Sequence, residues 1–379
     1  MSETISEGNL GRDVSASFLD IAETLGPAAV GSFTALTSAR DAIRQYMLNQ
    51  GWIHPIPHYP LTPYTIAAVD GATATEQLYA ADLMAVTAVA AEGQFTATHL
   101  PTPVLSWADM RERNISNDQI SRLNMLVREL SLLSTIEHDY RIVDGTHLNP
   151  FIAIIQALEG RDPLPQAAVD LLAQFDVATA GLLLATPKSG VCSLAKADTE
   201  TAWSDELRKT GQFPNLPVVM DKVLTAMVLE EGEMLIPRKV PSRSRTLINT
   251  NIRDNAPESV REASARLDDA LKPLQDAAVY GLLQICYFKP RTMITSLKMQ
   301  FTASSDDRDD VLTEAGALAA VIGRECFGPD LQEPFPQFMA DEAAKNVSVG
   351  IGLLEQTVLA QLPPETREHA VLLAYGYRS

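Results

Sequence analysis

Two short apolar runs in this chain close on the same tripeptide: Tyr64-Thr65-Ile66-Ala67-Ala68-Val69-Asp70-Gly71 and Tyr140-Arg141-Ile142-Val143-Asp144-Gly145. Each reads as a β-strand ending in a carboxylate, and the glycine that follows lets the backbone turn away and a bulky group approach closely. A single Asp-Gly after a strand is an ordinary turn, so it is the repetition that marks Asp70 and Asp144 as a pair. Carboxylates gathered at strand ends suit a hard divalent cation, because Mg²⁺ and Mn²⁺ take oxygen ligands and polarise both water and a phosphate. The chemistry such a set supports is metal-assisted cleavage of a phosphate ester.

A third carboxylate comes from a helix. Ile120, Leu123, Leu126, Val127, Leu130, Leu133 and Ile136 recur at helical period between Asn117 and His138, with Ser116 or Asn117 available as N-cap. Leu126, Glu129, Leu133 and Ile136 are spaced 3, 4 and 3, which sets Glu129 in an apolar row along one line of that helix. Two readings stand. A buried carboxylate is costly unpaired and calls for a cation or hydrogen-bond donor, whereas one that only flanks the stripe reaches water. Glu137 is a weaker rival, near the helix end and expected to be solvated.

These residues need elements to carry them. Residues 1 to 50 read as helical, on Phe18, Ile21, Ala22 and Leu25 and then Leu36, Ala39, Ile43, Tyr46 and Met47, before a proline-rich passage from Pro55 to Pro63. Leu83 to Ala91 is apolar enough for a buried strand beside the first, and Ala180 to Thr186 and Leu282 to Lys289 are read as further strands. Glu258 to Leu271 and Asp309 to Arg324 are read as helices, the second capped by the acidic run from Asp306 to Asp310. Alternating strands and helices predict an α/β core with a mixed sheet. The expected organisation is a helical N-terminal extension over 1–60, a core domain over 61–350 and a C-terminal extension over 351–379.

Composition narrows the function classes. The chain has 379 residues, 46% hydrophobic and 21% charged, ordinary for a globular protein. The longest apolar run, Ala180 to Ala185, falls far short of the roughly 18 residues of a membrane helix, and Met1-Ser2-Glu3-Thr4 lacks the basic and apolar regions of a secretory signal, so a cytoplasmic protein is expected. Cys192, Cys286 and Cys326 form no CxxC pair and are read as reduced core residues. His54 and His58 are split by Pro55 and Pro57, which breaks helical ligand spacing for zinc. A formal charge of −18 argues against a protein that coats nucleic acid through general electrostatics. Any DNA contact has to be local, and the dense basic segment is Arg238, Lys239, Arg243 and Arg245, which reads equally as a solvated loop.

In order and rough separation the carboxylate motifs resemble those of NurA nucleases. Ile66 to Ala72 resembles that family's first motif, a strand ending in Asp-Gly-Ser with a metal-binding aspartate; Arg128-Glu129-Leu130 resembles its helical glutamate, and Ile142 to Thr146 its second strand aspartate. Leu184-Ala185-Thr186-Pro187-Lys188-Ser189 is similar to a strand leading into Lys-Ser, which brings in Lys188 as a phosphate contact. Met220 to Leu224 with Leu229 to Glu233 resembles an Asp-containing helix and a Leu-x-x-Gly-Glu turn. Pro334 to Glu342 resembles a Tyr-Pro-x-Pro-Leu-x-x-Ala-His segment. The chain departs from the pattern at Ala72, where serine is expected, and at Asp341, where histidine is expected; the tyrosine and an Arg-x-Glu near Lys298-Met299-Gln300 have no counterpart.

The resemblance implies an RNase H-like fold, Mn²⁺- or Mg²⁺-supported DNA cleavage with Asp70, Glu129 and Asp144 as metal ligands, a homodimer, and a hexameric HerA-type ATPase that feeds DNA in. Asp341 joins the catalytic set if it replaces the histidine; otherwise it begins an exposed helix with Glu342. A motor that delivers the strand removes the need for a basic exterior. Two other classes stay open: a structural subunit that keeps the fold with weakened chemistry, and an actin-like phosphotransferase, whose phosphate loops also carry Asp-Gly-Thr.

Overall fold

Strand β2 (Ile66–Gln77) shows how the alternation of this chain is used. Ile66 and Ala68 join one apolar cluster, Ala67 and Val69 join another on the opposite face, and all four are fully buried. The computed structural model describes residues 34–361 apart from 59–61, 79–80 and 329, together with 363, 364 and 366. Phe18, Ile21, Ala22 and Leu25 lie outside the described residues, as does most of the C-terminal extension beyond 361.

Helix α1 (34–49) and β1 (Ile53–Pro55) precede β2. Then come β3 (Ala81–Glu92), β4 (Val104–Glu112), α2 (Asn117–Thr135), β5 (Tyr140–Asp144), α3 (Asn149–Leu158), α4 (Leu164–Gln174), α5 (Val177–Ala185) and β6 (Val191–Ala195). The second half contains α6 (Ala202–Lys209), α7 (Asp221–Val228), β7 (Glu233–Leu235), β8 (Arg238–Lys239), α8 (Glu258–Gln275), α9 (Ala277–Tyr280), β9 (Leu283–Lys289) and β10 (Leu297–Thr302). Helices α10 (Arg308–Arg324), α11 (Phe335–Lys345) and α12 (Val347–Gln361) follow.

All ten strands form one mixed sheet in the order β1-β7-β9-β10-β6-β5-β2-β3-β4, with β8 also paired to β9. Pairing is parallel between β2 and β5 and between β5 and β6, and antiparallel elsewhere. On one face α1 through α9 share a core with Val143, Val191, Leu235, Ile285 and Tyr287. On the other face α10 covers Ile142, Leu194, Phe288 and Phe301, while α11 and α12 pack on β2 and β3. This is the α/β mixed sheet flanked by helices that the alternating pattern predicts. No single described helix is long and apolar enough to cross a membrane.

Three expectations need correction. The run Ala180 to Thr186 is not a strand: it lies in α5, whose N-cap Asp176 accepts hydrogen bonds from the backbone of Ala178 and Thr179. Alanine and leucine suit a capped helix better than a strand. The strand of this region is β6, further along the chain, which opens after Gly190 and ends just before Lys196. Asp70 is not at a strand end, because Ala72 to Gln77 continue β2 in a long antiparallel ladder with β3. What ends at Asp70 is the parallel pairing with β5, whose last partners are Val69 and Val143. Asp341 does not begin a helix. Helix α11 starts at Phe335 with proline in its first turn, which leaves Asp341 well inside it.

Candidate active site

Register decides which side chains can meet. Ala68 pairs with Ile142, Ile142 with Cys192, and Asp144 with Leu194, so the carboxyl ends of β2's parallel stretch, β5 and β6 lie side by side. With a period of two, Asp70 follows Ile66 and Ala68, Asp144 follows Ile142, and Lys196 follows Cys192 and Leu194 onto the same face of the sheet. Ligand sites of α/β sheets form at these carboxyl ends.

Lys196 is the centre of what forms there. Its Nζ donates to Asp70 Oδ2 at 2.7 Å and lies 3.9 Å from Asp144 Oδ2, 3.4 Å from Glu333 Oε2 and 3.3 Å from Asp341 Oδ1. Glu333 stands just before α11, and the side chains of Gln337 and Asp341 come from one face of that helix. Gln337, almost fully buried, donates from Nε2 to Asp144 Oδ1 at 2.8 Å and fixes that carboxylate.

Glu129 reaches the cluster from the opposite side. Its helix α2 packs on the face of β2 that carries Ala67, Val69 and Gly71, and the missing side chain at Gly71 is what admits it. A Cβ at Gly71 would stand 2.6 Å from Glu129 Oε1. Glu129 is 2% exposed, so the solvated alternative for it does not hold.

Burial and mutual repulsion set the electrostatics. Burial raises Asp70 above the usual carboxylate range despite its bond to Lys196. Burial, with Asp70 and Asp144 nearby, pushes Glu129 well above its ordinary value. Burial and the Asp70 charge push Asp144 up to about 6. Glu333 is raised by burial, but in Asp341 burial is outweighed by Lys345 and Lys196, which lower it. Burial opposes the charge on Lys196, and Asp70, Asp144 and Glu333 overcome it and hold the ammonium firmly protonated.

The turn after Lys196 is anchored from below. Asp198 Oδ1 accepts from Lys298 Nζ at 2.6 Å, Asp198 Oδ2 accepts from the Tyr287 hydroxyl at 2.9 Å, and the backbone N–H groups of Glu200 and Lys222 donate to the same carboxylate. Lys222 closes the turn by donating to the carbonyl of Lys196 at 2.8 Å.

Four carboxylates therefore converge on one ammonium, with Glu129 close enough to feel its charge. Their oxygens are the donor type a hard divalent ion takes, and a buried Glu129 beside two more acids is a demand for positive charge. The positions themselves are those an ammonium organises: no three His, Cys, Asp or Glu side chains among the described residues approach closely enough to hold an ion as they stand.

The other sequence candidates lie elsewhere. Lys188 is exposed, in a left-handed conformation (φ 56°) before β6, at the opposite end of that strand from Lys196. The lysine that follows a strand into the site is thus Lys196, which sequence reasoning missed because it placed the strand too early. Arg238 stacks over Trp203 at 4.2 Å and pairs with Glu206 at 3.6 Å, and Lys239 is exposed next to it on β8. The side chains of Arg243 and Arg245 lie outside the described residues. Glu333 and Gln337 were also missed, although Glu333 directly precedes, and Gln337 lies within, the segment Pro334 to Glu342.

The class is thus an α/β protein with a carboxylate and lysine cluster at the carboxyl ends of adjacent parallel strands. Its fold is NurA-like. The structure is similar to the NurA nuclease from Sulfolobus solfataricus, with a TM-score of 0.58 and 12% identity over 93% of this chain and 99% of that one. It is also similar to a structure of NurA with manganese, with a TM-score of 0.52 and 14% identity over 90% of this chain and 99% of that one. No family model and no curated protein matches the sequence.

Proposed function

We propose that this chain is a metal-dependent DNA nuclease, a phosphodiester hydrolase in which Asp70, Glu129 and Asp144 hold one or two Mn²⁺ or Mg²⁺ ions. The observation that carries this reading is the convergence of these three acids, from β2, α2 and β5, beside Lys196 in a NurA-like fold. The manganese in one similar structure supports the choice of ion. The reading also takes the sheet segment β4-β3-β2-β5-β6 as RNase H-like, an antiparallel meander extended by two strands parallel to β2.

When bound, such an ion supplies Lewis-acid charge to the phosphate and activates water. The reaction is addition of the water oxygen to phosphorus with loss of one P–O ester bond, leaving a phosphate end and a hydroxyl end. Gln337 orients Asp144 by donating to its Oδ1, and Lys196 provides a positive charge where phosphate oxygens arrive.

At −18 the chain does not draw DNA in through its surface, so the proposal includes a homodimer served by a hexameric HerA-type ATPase, in DNA end processing or in defence against foreign DNA. A second reading, a NurA-like subunit with weakened chemistry, draws on the acids at 333 and 341 and on the absence of a ready ion geometry among the described residues. Incubating the pure protein with end-labelled linear DNA and Mn²⁺, with and without its motor, separates the two. Cleavage that Asp70→Ala removes supports the nuclease, and no cleavage under any condition rejects it.

A further inference from the structure

Lys196 and a divalent ion cannot share Asp70 and Asp144 as these side chains stand. The ammonium donates to Asp70 at 2.7 Å and lies 3.9 Å from Asp144, in the space an ion held by both would need. It has to move.

The structure offers a place for it to go. Glu333 Oε2 is buried and has no hydrogen-bond partner, although Lys196 Nζ is only 3.4 Å away at ion-pair distance. Asp341 lies on the same side, its Oδ1 3.3 Å from the ammonium and its Oδ2 held by Lys345 at 2.5 Å. A buried carboxylate oxygen at ion-pair distance that accepts no well-directed hydrogen bond is an acceptor its cation meets only poorly as the side chains stand. The lysine that could fill it is 38% exposed on a flexible four-carbon stem at a strand end.

We propose that Glu333 and Asp341 form a receiving site for the Lys196 ammonium, which shifts from Asp70 toward this pair as a divalent ion is taken up. The inference rests on the metal-dependent reading above. It assigns the two acids the role of positioning residues that act through Lys196, distinct from metal ligation. Without them, removing the ammonium from Asp70 would leave it unpaired in a half-buried site, and ion uptake would be opposed.

A double-mutant cycle on the full chain tests this, with Mn²⁺ binding measured by calorimetry without DNA. Glu333→Gln and Asp341→Asn are each made with Lys196 present and with Lys196→Met. With Lys196 present, Glu333→Gln is expected to weaken Mn²⁺ binding roughly tenfold, and in the Lys196→Met background to change it by less than about twofold, a coupling of the size that directly interacting groups show. Asp341→Asn is expected to follow the same pattern with a smaller effect. Equal weakening in both backgrounds would make these acids ligands or general attractors of the ion and overturn the proposal, as would no effect in either. If Lys196→Met does not fold, Lys196→Gln supplies the uncharged background. A wild-type chain that takes up Mn²⁺ with an Asp70-dependent signal but shows no coupling fails this inference alone; one that takes up no Mn²⁺ fails the metal-dependent reading with it.

Discussion

At the residue scale the acids of the cluster differ in what their loss does. Asp70→Ala and Asp144→Ala are expected to abolish Mn²⁺-dependent DNA cleavage while circular dichroism stays native, since neither carboxylate belongs to the apolar core. Cleavage undiminished in either variant contradicts the assignment. Glu129→Gln is expected to be equally inactive yet at least as stable to denaturant, because it removes a buried charge without changing volume. Asp144 also sets a pH dependence. Burial and Asp70 raise it from 3.8 to about 6, so the folded form binds its proton more tightly than the unfolded chain does. The stability it contributes is complete below about pH 4 and is lost as the pH rises through 6. The metal-free protein should therefore lose melting temperature across that window, and Asp144→Asn should lose less. Parallel melting curves for the two would count against the shift.

The elements matter through two close approaches. Gly71 lets α2 lie against β2, and a Cβ there would meet Glu129 Oε1 and Met125 Cγ at 2.6 Å and the Thr87 carbonyl at 3.3 Å. Gly71→Ala is expected to cost about 1–3 kcal/mol by overpacking and to abolish cleavage by displacing Glu129, measured by urea unfolding and by nuclease assay. The second is the turn after β6. Lys298 and Asp198 form a pair with side chains 5% and 1% exposed, and this pair anchors the backbone that carries Lys196. Lys298→Met leaves the Asp198 charge without a cation and is expected to destabilise by roughly 3–5 kcal/mol, the usual effect of breaking a buried pair. A loss below about 1 kcal/mol would mean that Tyr287 and the two backbone donors suffice to hold Asp198.

For the whole molecule, the charge of −18 and the engagement of Arg238 with Trp203 and Glu206 leave little to hold DNA by electrostatics alone. Cleavage of linear DNA by the isolated chain should thus be slow at physiological salt, and should rise at least roughly tenfold when a HerA-type ATPase and ATP raise the local strand concentration. An unchanged rate would reject that partner. Light scattering should give twice the chain mass at micromolar concentration, and a monomer would reject the homodimer.

The sequence by itself singled out Asp70 and Asp144, each after a buried apolar run and before a glycine, while spacing left Glu129 open between burial and solvent and the family resemblance added it to the set. Periodicity of 2 or 3.6 residues is short-range information, and it fixes which face a side chain takes. It failed at α5, where apolar length alone was read as a strand although alanine, leucine and an aspartate cap favour a helix. That error shifted the third strand and hid Lys196. Only the tertiary structure decided that Lys196 sits among the acids, that Glu333 and Asp341 face it, and that Gln337 orients Asp144. Lys196 is 126 residues from Asp70, and Gln337 is 193 from Asp144. Contacts over such separations come from strand order and helix packing, which no local spacing encodes.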